Sequence, residues 1–480
     1  MNASTHLNLT PDLVVIGAGS GGLSAAAGAA QLGLDVVLFE KADMGGDCLN
    51  HGCVPSKALL SAAKAAHGAS ESEKYGVSVS DVKVDWEKVK AHVRGAIDTI
   101  APVDSQERFE GFGVTVIREE ARFEDRKTIV SATSRVKAKR IIIATGSTAF
   151  IPPIEGLDKV PYLTNETIFS VPDLPKHLII LGGGPIGMEL GQAFSRLGSK
   201  VTVIEMGTAL GRADPVHASI AIEAIKAEGV TLLEGHKAVR ISGTGTDIKV
   251  HTEMGDTAHT IDGSHVLVAV GRRPVLDGLN LEAGNVAHDR GGITVGENLR
   301  SSSNPRVWAL GDAAGKGQFT HIAGWHASVF VRRALFKQRT KANSLPFPAI
   351  TYTSPEVAQL GLTEAEAHAK YGHGKIKSSC FPFHENDRAI AEGKTLGECK
   401  LIIKGSKIVG ASIVGEGAGD ILQLVSVAMS NNMKLTALTN FISPYPTRAE
   451  VVKRAASAHY TPALFSKKTQ TLVGLLQRIP

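Results

Sequence analysis

Cysteine is scarce in this sequence, with four in 480 residues. That density excludes a disulfide-stapled scaffold, and Cys380 and Cys399 lie too far apart to form a close-spaced zinc pair. Aromatic residues are few, at 5%, and charge of one sign is nearly absent: 52 Lys and Arg against 47 Asp and Glu leave a net +5. With no basic run and no aromatic-interleaved patch, nucleic acid is not an expected partner. The opening residues, 1–11, have neither a cationic n-region nor an apolar h-region, so they do not read as a signal or transit peptide, and a cytoplasmic location is expected. Long hydrophobic runs are also missing. The most apolar span, Leu13 to Leu34, is broken by six glycines and reads as strand, tight turn and helix rather than as a membrane span.

Glycine is abundant instead. Its 51 residues gather in turn motifs, and the length suggests about three domains, each with its own core. Two of the four cysteines lie in Cys48-Leu49-Asn50-His51-Gly52-Cys53-Val54-Pro55-Ser56-Lys57, directly after Gly45-Gly46, a pair that lets backbone approach a ligand closely. At the start of a helix, this spacing places both sulfurs on one face, within reach of a disulfide, and the helix N-terminus favours a thiolate. A zinc half-site would need a second ligand pair elsewhere. On spacing alone, a redox pair and two inert core cysteines both stay open.

The chain carries one structural unit twice. Asp12-Leu13-Val14-Val15-Ile16 reads as a buried parallel strand, Gly17-Ala18-Gly19-Ser20-Gly21-Gly22 as a tight turn, and Leu23 to Leu32 as an Ala-rich helix; a second strand, Val36 to Phe39, is closed by Glu40. Gly17 permits the turn, Gly19 lets backbone amides reach a pyrophosphate, Gly22 packs helix on sheet, and Glu40 is placed to accept from a ribose. The second copy runs from the strand His177–Leu181 through Gly182, Gly184 and Gly187 and a helix from Met188 to Leu197. It ends at the strand Lys200 to Ile204, closed by Glu205. In both copies the acid stands 23 residues after the first glycine. Two complete fingerprints imply two dinucleotides.

The stretch Gly45-Gly46-Asp47-Cys48 through Cys53-Val54-Pro55-Ser56-Lys57, set in this frame, resembles the active-site motif of the class I pyridine nucleotide-disulfide oxidoreductases, the family of dihydrolipoamide dehydrogenase, glutathione reductase and mercuric reductase. The resemblance extends from Asp12 to about Pro462. It implies an α/β fold with two Rossmann-like dinucleotide-binding domains, for FAD and NAD, plus a C-terminal α+β dimerisation domain. The expected division is 1–152 for FAD binding with the redox pair, 153–275 for NAD(P), 276–345 for the remaining flavin-binding part, and 346–480 for the interface of a homodimer. Strands are expected at Ile350–Tyr352, Lys400–Ile403 and Ile408–Val414, with helices at Asp420–Asn431 and Ala449–Ala458. Between the two units, Ser61 to Ile100 reads as mostly helical, with a turn at Tyr75-Gly76.

The resemblance assigns the flavin to Gly17, Gly19, Gly22, Glu40, Gly46 and Lys57, with Ala121, Thr145 and Gly146 along the chain. Asp312 of Trp308-Ala309-Leu310-Gly311-Asp312 and the helix opening Thr320-His321-Ile322-Ala323 complete that site. It assigns the nicotinamide cofactor to Gly182, Gly184, Gly187, Glu205 and Gly271. Glu205 favours a free 2′-hydroxyl, so NADH is expected over NADPH, with Arg212 close enough to soften the preference. Cys53 is expected to be the sulfur nearer the flavin, Cys48 the attacking one, and Glu189 the partner of Lys57. No metal site is expected.

One position departs from the pattern. Lipoamide and glutathione enzymes end in His-x-x-x-x-Glu, whereas here Tyr445 stands at the histidine position and Glu450 is kept. Tyrosine, with a pKa of ~10 against ~6.5 for histidine, is a poor base at neutral pH. Mercuric reductases also carry tyrosine here, yet their C-terminal cysteine pair and N-terminal metal-binding domain are not found in this sequence. Pro185 stands where some relatives have an aromatic gate. The expected activity is transfer from NADH through FAD and the cysteines to a small or lipoyl-type disulfide. Reduction of a soft metal ion or other small oxidant is the alternative, and a non-catalytic flavin-binding protein is the reading from another class. The tail from Leu464 to Ile479 reads as amphipathic and as packing on the dimer rather than on a membrane, so no membrane partner is expected.

Overall fold

The computed structural model describes residues 7–479, and the chain falls into two compact units. The first comprises residues 1–182, 196–200 and 238–344; the second comprises 183–195, 201–237 and 345–480.

The first unit is built on a parallel five-stranded sheet in the order Val307–Ala309, Arg140–Ile143, Leu13–Ile16, Val36–Phe39, Val114–Ile117. All four residues of Leu13–Ile16 and of Val36–Phe39 are buried, as a strand covered on both faces requires. The first helix runs Ser20–Ala30, three residues earlier at its start than the Ala-rich run suggests. Gly21 and Gly22 belong to its first turn because the helix must start against the sheet edge: a Cβ on Gly22 would lie 1.9 Å from the Gly17 carbonyl oxygen. The helix Thr320–Phe330 packs on it, with Gly21 making room for the Ala323 methyl group. A smaller sheet joins Leu7–Leu9, Ser134–Lys137, Thr128–Val130 and Arg122–Phe123. Another parallel set joins Tyr162–Leu163, His265–Val268 and His177–Leu181. A short antiparallel pair joins Ser147–Ala149 with Arg272–Pro274.

The region after the cysteines is mostly helical with a turn at Gly76, as expected, apart from residues 77–85. One helix begins at Cys53 itself and runs to Ser70, a 3₁₀ turn ends at left-handed Gly76, and the next helix starts at Trp86 on an Asp85 cap. Residues 77–85 carry neither helix nor strand: Val77, Val79, Val82 and Val84 are β-branched, and Ser78, Ser80, Asp81 and Asp85 among them compete for backbone hydrogen bonds, a mixture that disfavours helix.

In the second unit, the strand Lys200–Glu205 pairs in parallel with Thr231–Glu234. The C-terminal part is a five-stranded antiparallel sheet ordered Pro348–Thr351, Glu356–Gly361, Lys407–Gly415, Glu398–Lys404, Ile376–Pro382. The helices Ala418–Ser430 and Glu450–Leu464 share its core, through Ile421, Leu422, Val425, Val451, Val452 and Ala455 against Leu401, Ala411 and Ile413. Two strands, Glu356–Gly361 and Ile376–Pro382, were not anticipated. A last helix, Lys467–Leu476, buries none of its residues. Among the described residues no helix is long and apolar enough to cross a membrane.

Candidate active site

The two cysteines sit on different helices. Cys48 lies in the five-residue helix Gly46–Asn50, and Cys53 is the first residue of Cys53–Ser70. A single continuous helix start is therefore not what brings them together. His51, at φ −138°, leaves helical geometry, and Gly52 turns the chain back so tightly that a Cβ there would lie 2.9 Å from the Asp47 carbonyl oxygen. The loop is anchored by Asn50, whose amide donates to the Met44 and Gly46 carbonyls at 3.0 and 2.9 Å. Gly46, at φ +62°, presses on the first glycine turn: a Cβ would lie 2.7 Å from Gly19 Cα. The redox loop and the first fingerprint thus share one backbone surface.

Both thiols are free and are hydrogen-bonded to each other. Their titration is split. Cys53 is lowered to about 6, first by the hydrogen bond from Cys48, then by that of Thr320 and by the positive charge of Lys57. Cys48 is pushed up, by the same bond and by burial. The negative charge rests on Cys53, at the N-terminus of an 18-residue helix, where the helix dipole favours it. Thr320 Oγ1 lies 3.3 Å from Cys53 Sγ.

The two acids of the fingerprints are held alike. Glu40 accepts from the amides of Ala18 and Ala42, both at 2.7 Å; Glu205 accepts from those of Gly183 and Gly207, both at 2.7 Å. In each copy the carboxylate clamps its own glycine turn, and each oxygen keeps further acceptor capacity. The residues fit dinucleotides. The helix Ser20–Ala30 has no side-chain cap and no acid in its first turn, so its leading amides are left for an anion. Pro185–Arg196 likewise has no acid in its first turn, and a Cβ on Gly184 would meet open space. Gly17 at φ +105° and Gly182 at φ +108° each abut a carbonyl, that of Ala144 and that of Ala269, so neither tolerates a side chain.

A polar chain missed in the sequence runs beside the redox loop. Asp47 Oδ1 lies 3.2 Å from Arg272 Nη2 and accepts from Asn165 at 2.9 Å. Arg272 Nε donates to Ser147 Oγ at 2.8 Å, and Ser147 donates to Asp312 Oδ2 at 2.5 Å. Burial raises Asp312, against the opposing pull of Ser147 and Arg272. The sequence signal was modest: Asp47 stood inside the motif and Arg272 followed Gly271, but Ser147, Asn165 and Thr320 carry no signature of their own. Close by, the Nδ1 of buried His326 accepts from the Gly311 amide at 3.1 Å.

The remaining predicted residues are placed as follows. Ala121 is buried, and the Thr145 hydroxyl donates to the Val275 carbonyl at 2.6 Å. Gly146 and Gly271 take positive φ, at 67° and 137°. His321 is exposed and stacks on Phe319. Gly187 is buried in its helix. Glu189 is buried, and its Oε1 accepts from the Tyr352 amide at 2.9 Å. Tyr445 is 70% exposed. Its hydroxyl donates to Asp387 Oδ2 at 2.8 Å, while Glu450 pairs with Arg454 at 3.0 Å. Among the described residues no group of three or more His, Cys, Asp or Glu side chains forms a metal site.

Comparison with known proteins agrees with this geometry. Residues 11–327 match the pyridine nucleotide-disulphide oxidoreductase family, and residues 347–456 match the dimerisation domain of the same enzymes. A mercuric reductase of Streptomyces lividans is 36% identical over 462 residues, spanning 93% of this chain and 95% of that protein. A dihydrolipoyl dehydrogenase of Staphylococcus aureus is 34% identical over 454 residues, spanning 93% and 96%. The Cu(II) complex of RclA, an HOCl-induced flavoprotein disulfide reductase of Escherichia coli, superposes with a TM-score of 0.83 at 25% identity, covering 93% of this chain and 99% of that one. The chain belongs to the FAD-dependent pyridine nucleotide-disulfide oxidoreductases of class I.

Proposed function

We propose that the enzyme carries electrons from NADH through FAD to the Cys48–Cys53 pair and passes them to a small or lipoyl-type disulfide. The observation that supports this most directly is the placing of the two thiols: Cys48 and Cys53 share a hydrogen bond, Thr320 Oγ1 lies 3.3 Å from Cys53 Sγ, and Gly46 of the same loop presses on the first glycine turn. Bound FAD supplies two-electron exchange between a nicotinamide and a dithiol.

The chain's own residues do the rest. The Cys48 proton moves along its hydrogen bond to Cys53, and the Cys48 thiolate attacks one sulfur of the substrate. A mixed disulfide forms and the first substrate thiolate leaves, taking a proton from solvent. Cys53 gives up its proton as it attacks Cys48 Sγ; the internal disulfide forms and the second substrate thiol is released. Two electrons pass from the cysteines to the substrate.

Lys57 acts as the cation beside the Cys53 thiolate and the reduced flavin ring, with Glu189 as its partner. The flavin is assigned to 1–152 and 276–345, through Gly17, Gly19, Gly22, Glu40, Gly46, Ala121, Thr145, Gly146, Asp312, His321 and Ala323. The nicotinamide is assigned to 153–275, through Gly182, Gly184, Gly187, Glu205 and Gly271. NADH is preferred because the clamped Glu205 carboxylate repels a 2′-phosphate. Residues 346–480 build a homodimer in the cytoplasm, each copy lending Tyr445 and Glu450 to the other's site. Reduction of a soft metal ion is the second reading, favoured by the hydrogen bond that leaves the Tyr445 oxygen facing outward as an acceptor. Steady-state NADH oxidation with lipoamide, glutathione disulfide and Hg(II) side by side separates the readings; no turnover with any of them refutes both.

A further inference from the structure

We propose that Asp387, by accepting the hydrogen bond of the Tyr445 hydroxyl, makes the acceptor site select small disulfides that carry positive charge over those that carry negative charge. The inference rests on the proposed disulfide reduction and on the placement of Tyr445 at its acceptor end.

A phenol has one proton and two lone pairs. In this structure the proton is committed to Asp387 Oδ2, at 2.8 Å. What Tyr445 presents outward is therefore an acceptor with a carboxylate behind it. Such a pair attracts ammonium groups and repels carboxylates. Proximity of Asp387 also holds Tyr445 above its ordinary pKa, which keeps the donor proton in place at neutral pH.

The geometry is braced rather than accidental. Asp387 opens the helix Asp387–Ala391, whose cap Asn386 accepts from the Ala389 amide at 3.0 Å. The same Asn386 donates to the Thr447 carbonyl at 3.1 Å, tying that helix to the Tyr445 loop. Arg448, from the loop, pairs with Glu392, which also holds Arg388. Glu450 is matched by Arg454. Glu392 is shared between Arg388 and Arg448, whereas Asp387 makes no ion pair with Lys or Arg among the described residues, and the charges of both Asp387 and Glu450 are felt at the Tyr445 hydroxyl. Tyr445 and Ile442 of the same loop are 70% and 97% exposed, so no side chain of this unit stands between them and an incoming molecule. Asp387 is thus a positioning residue that acts through Tyr445.

The test uses the FAD-loaded dimer and two aliphatic disulfides of similar size, cystamine with two ammonium groups and dithiodipropionate with two carboxylates. The native enzyme is expected to show the higher kcat/KM with cystamine. Asp387→Asn is expected to lower cystamine kcat/KM about 5- to 10-fold through KM, with kcat held within about twofold, and to leave dithiodipropionate unchanged or improved. Asp387→Glu restores the preference. If Asp387→Asn does not fold, Tyr445→Phe, which removes the acceptor oxygen, is expected to abolish the same preference. An unchanged ratio between the two disulfides, or an equal loss for both, overturns the inference. The half-reaction separates this failure from a wider one: NADH-driven exposure of alkylatable Cys48 and Cys53, without any acceptor, tests the electron path alone.

Discussion

Thr320 donates a side-chain hydrogen bond to the ionised sulfur, and removing it should raise the Cys53 pKa. Thr320→Val keeps the shape of the side chain and deletes the donor 3.3 Å from Cys53 Sγ. A hydrogen bond to a charged group contributes about 1.5–3 kcal/mol, or about 1–2 pKa units at about 1.4 kcal/mol per unit. Cys53 is exposed, so solvent screening leaves about half of that, a rise of about 0.5–1 unit from about 6. Losing a donor raises the pKa, because the bond favours the thiolate over the thiol. At pH 6 the thiolate fraction then falls from about one half to between about one quarter and one tenth, a two- to fivefold drop. The assay is the rate of iodoacetamide alkylation of Cys53 in the reduced holoenzyme against pH, read by peptide mass. The variant curve should shift to higher pH and converge with the native one above pH ~9. A curve unmoved, or shifted to lower pH, refutes the assignment of the thiolate to Cys53.

Arg272→Met leaves Asp47 and Asp312 without their cation and should lower stability by about 2–3 kcal/mol, seen as a lower melting temperature, while Ser147→Ala should cost about 1 kcal/mol. His326 is held neutral, its pKa lowered by burial from 6.5 to about 4, so the unfolded chain binds its proton first as pH falls. Stability should therefore decline between pH 6.5 and 4, by about 3 kcal/mol for this group, and His326→Gln should flatten the decline; equal slopes would contradict it. Tyr445→His should raise lipoamide turnover at neutral pH by about tenfold or more, and no rise would mean that position 445 does not limit proton transfer.

Much of the architecture was legible because its signals are local. Glycine spacing and β-branched runs marked both dinucleotide units, and the hydrogen-bond clamps on Glu40 and Glu205 show why the acid closes each one. The cysteine pair was also legible, but its local geometry was not: the break at His51 and Gly52 depends on contact with Asp47, which spacing does not encode. The chain from Asp47 through Arg272 and Ser147 to Asp312 joins residues far apart in sequence, and ordinary polar side chains announce no partner. Asp387 escaped for the same reason, lying 58 positions from Tyr445. The strand Ile376–Pro382 was hidden by lysine and serine on its exposed positions, and Glu356–Gly361 by its mixed Glu-Val-Ala-Gln-Leu-Gly composition, which lacks a β-branched run.

The central claim is that reducing equivalents from NADH arrive at Cys48 and Cys53 and nowhere else. It is tested by oxidising the holoenzyme, adding one equivalent of NADH under argon, trapping thiols with iodoacetamide and mapping the labelled peptides. Labelling that appears at Cys48 and Cys53 together, while Cys380 and buried Cys399 stay as they were, is the predicted result. Consumption of NADH with no new label on that pair would contradict it.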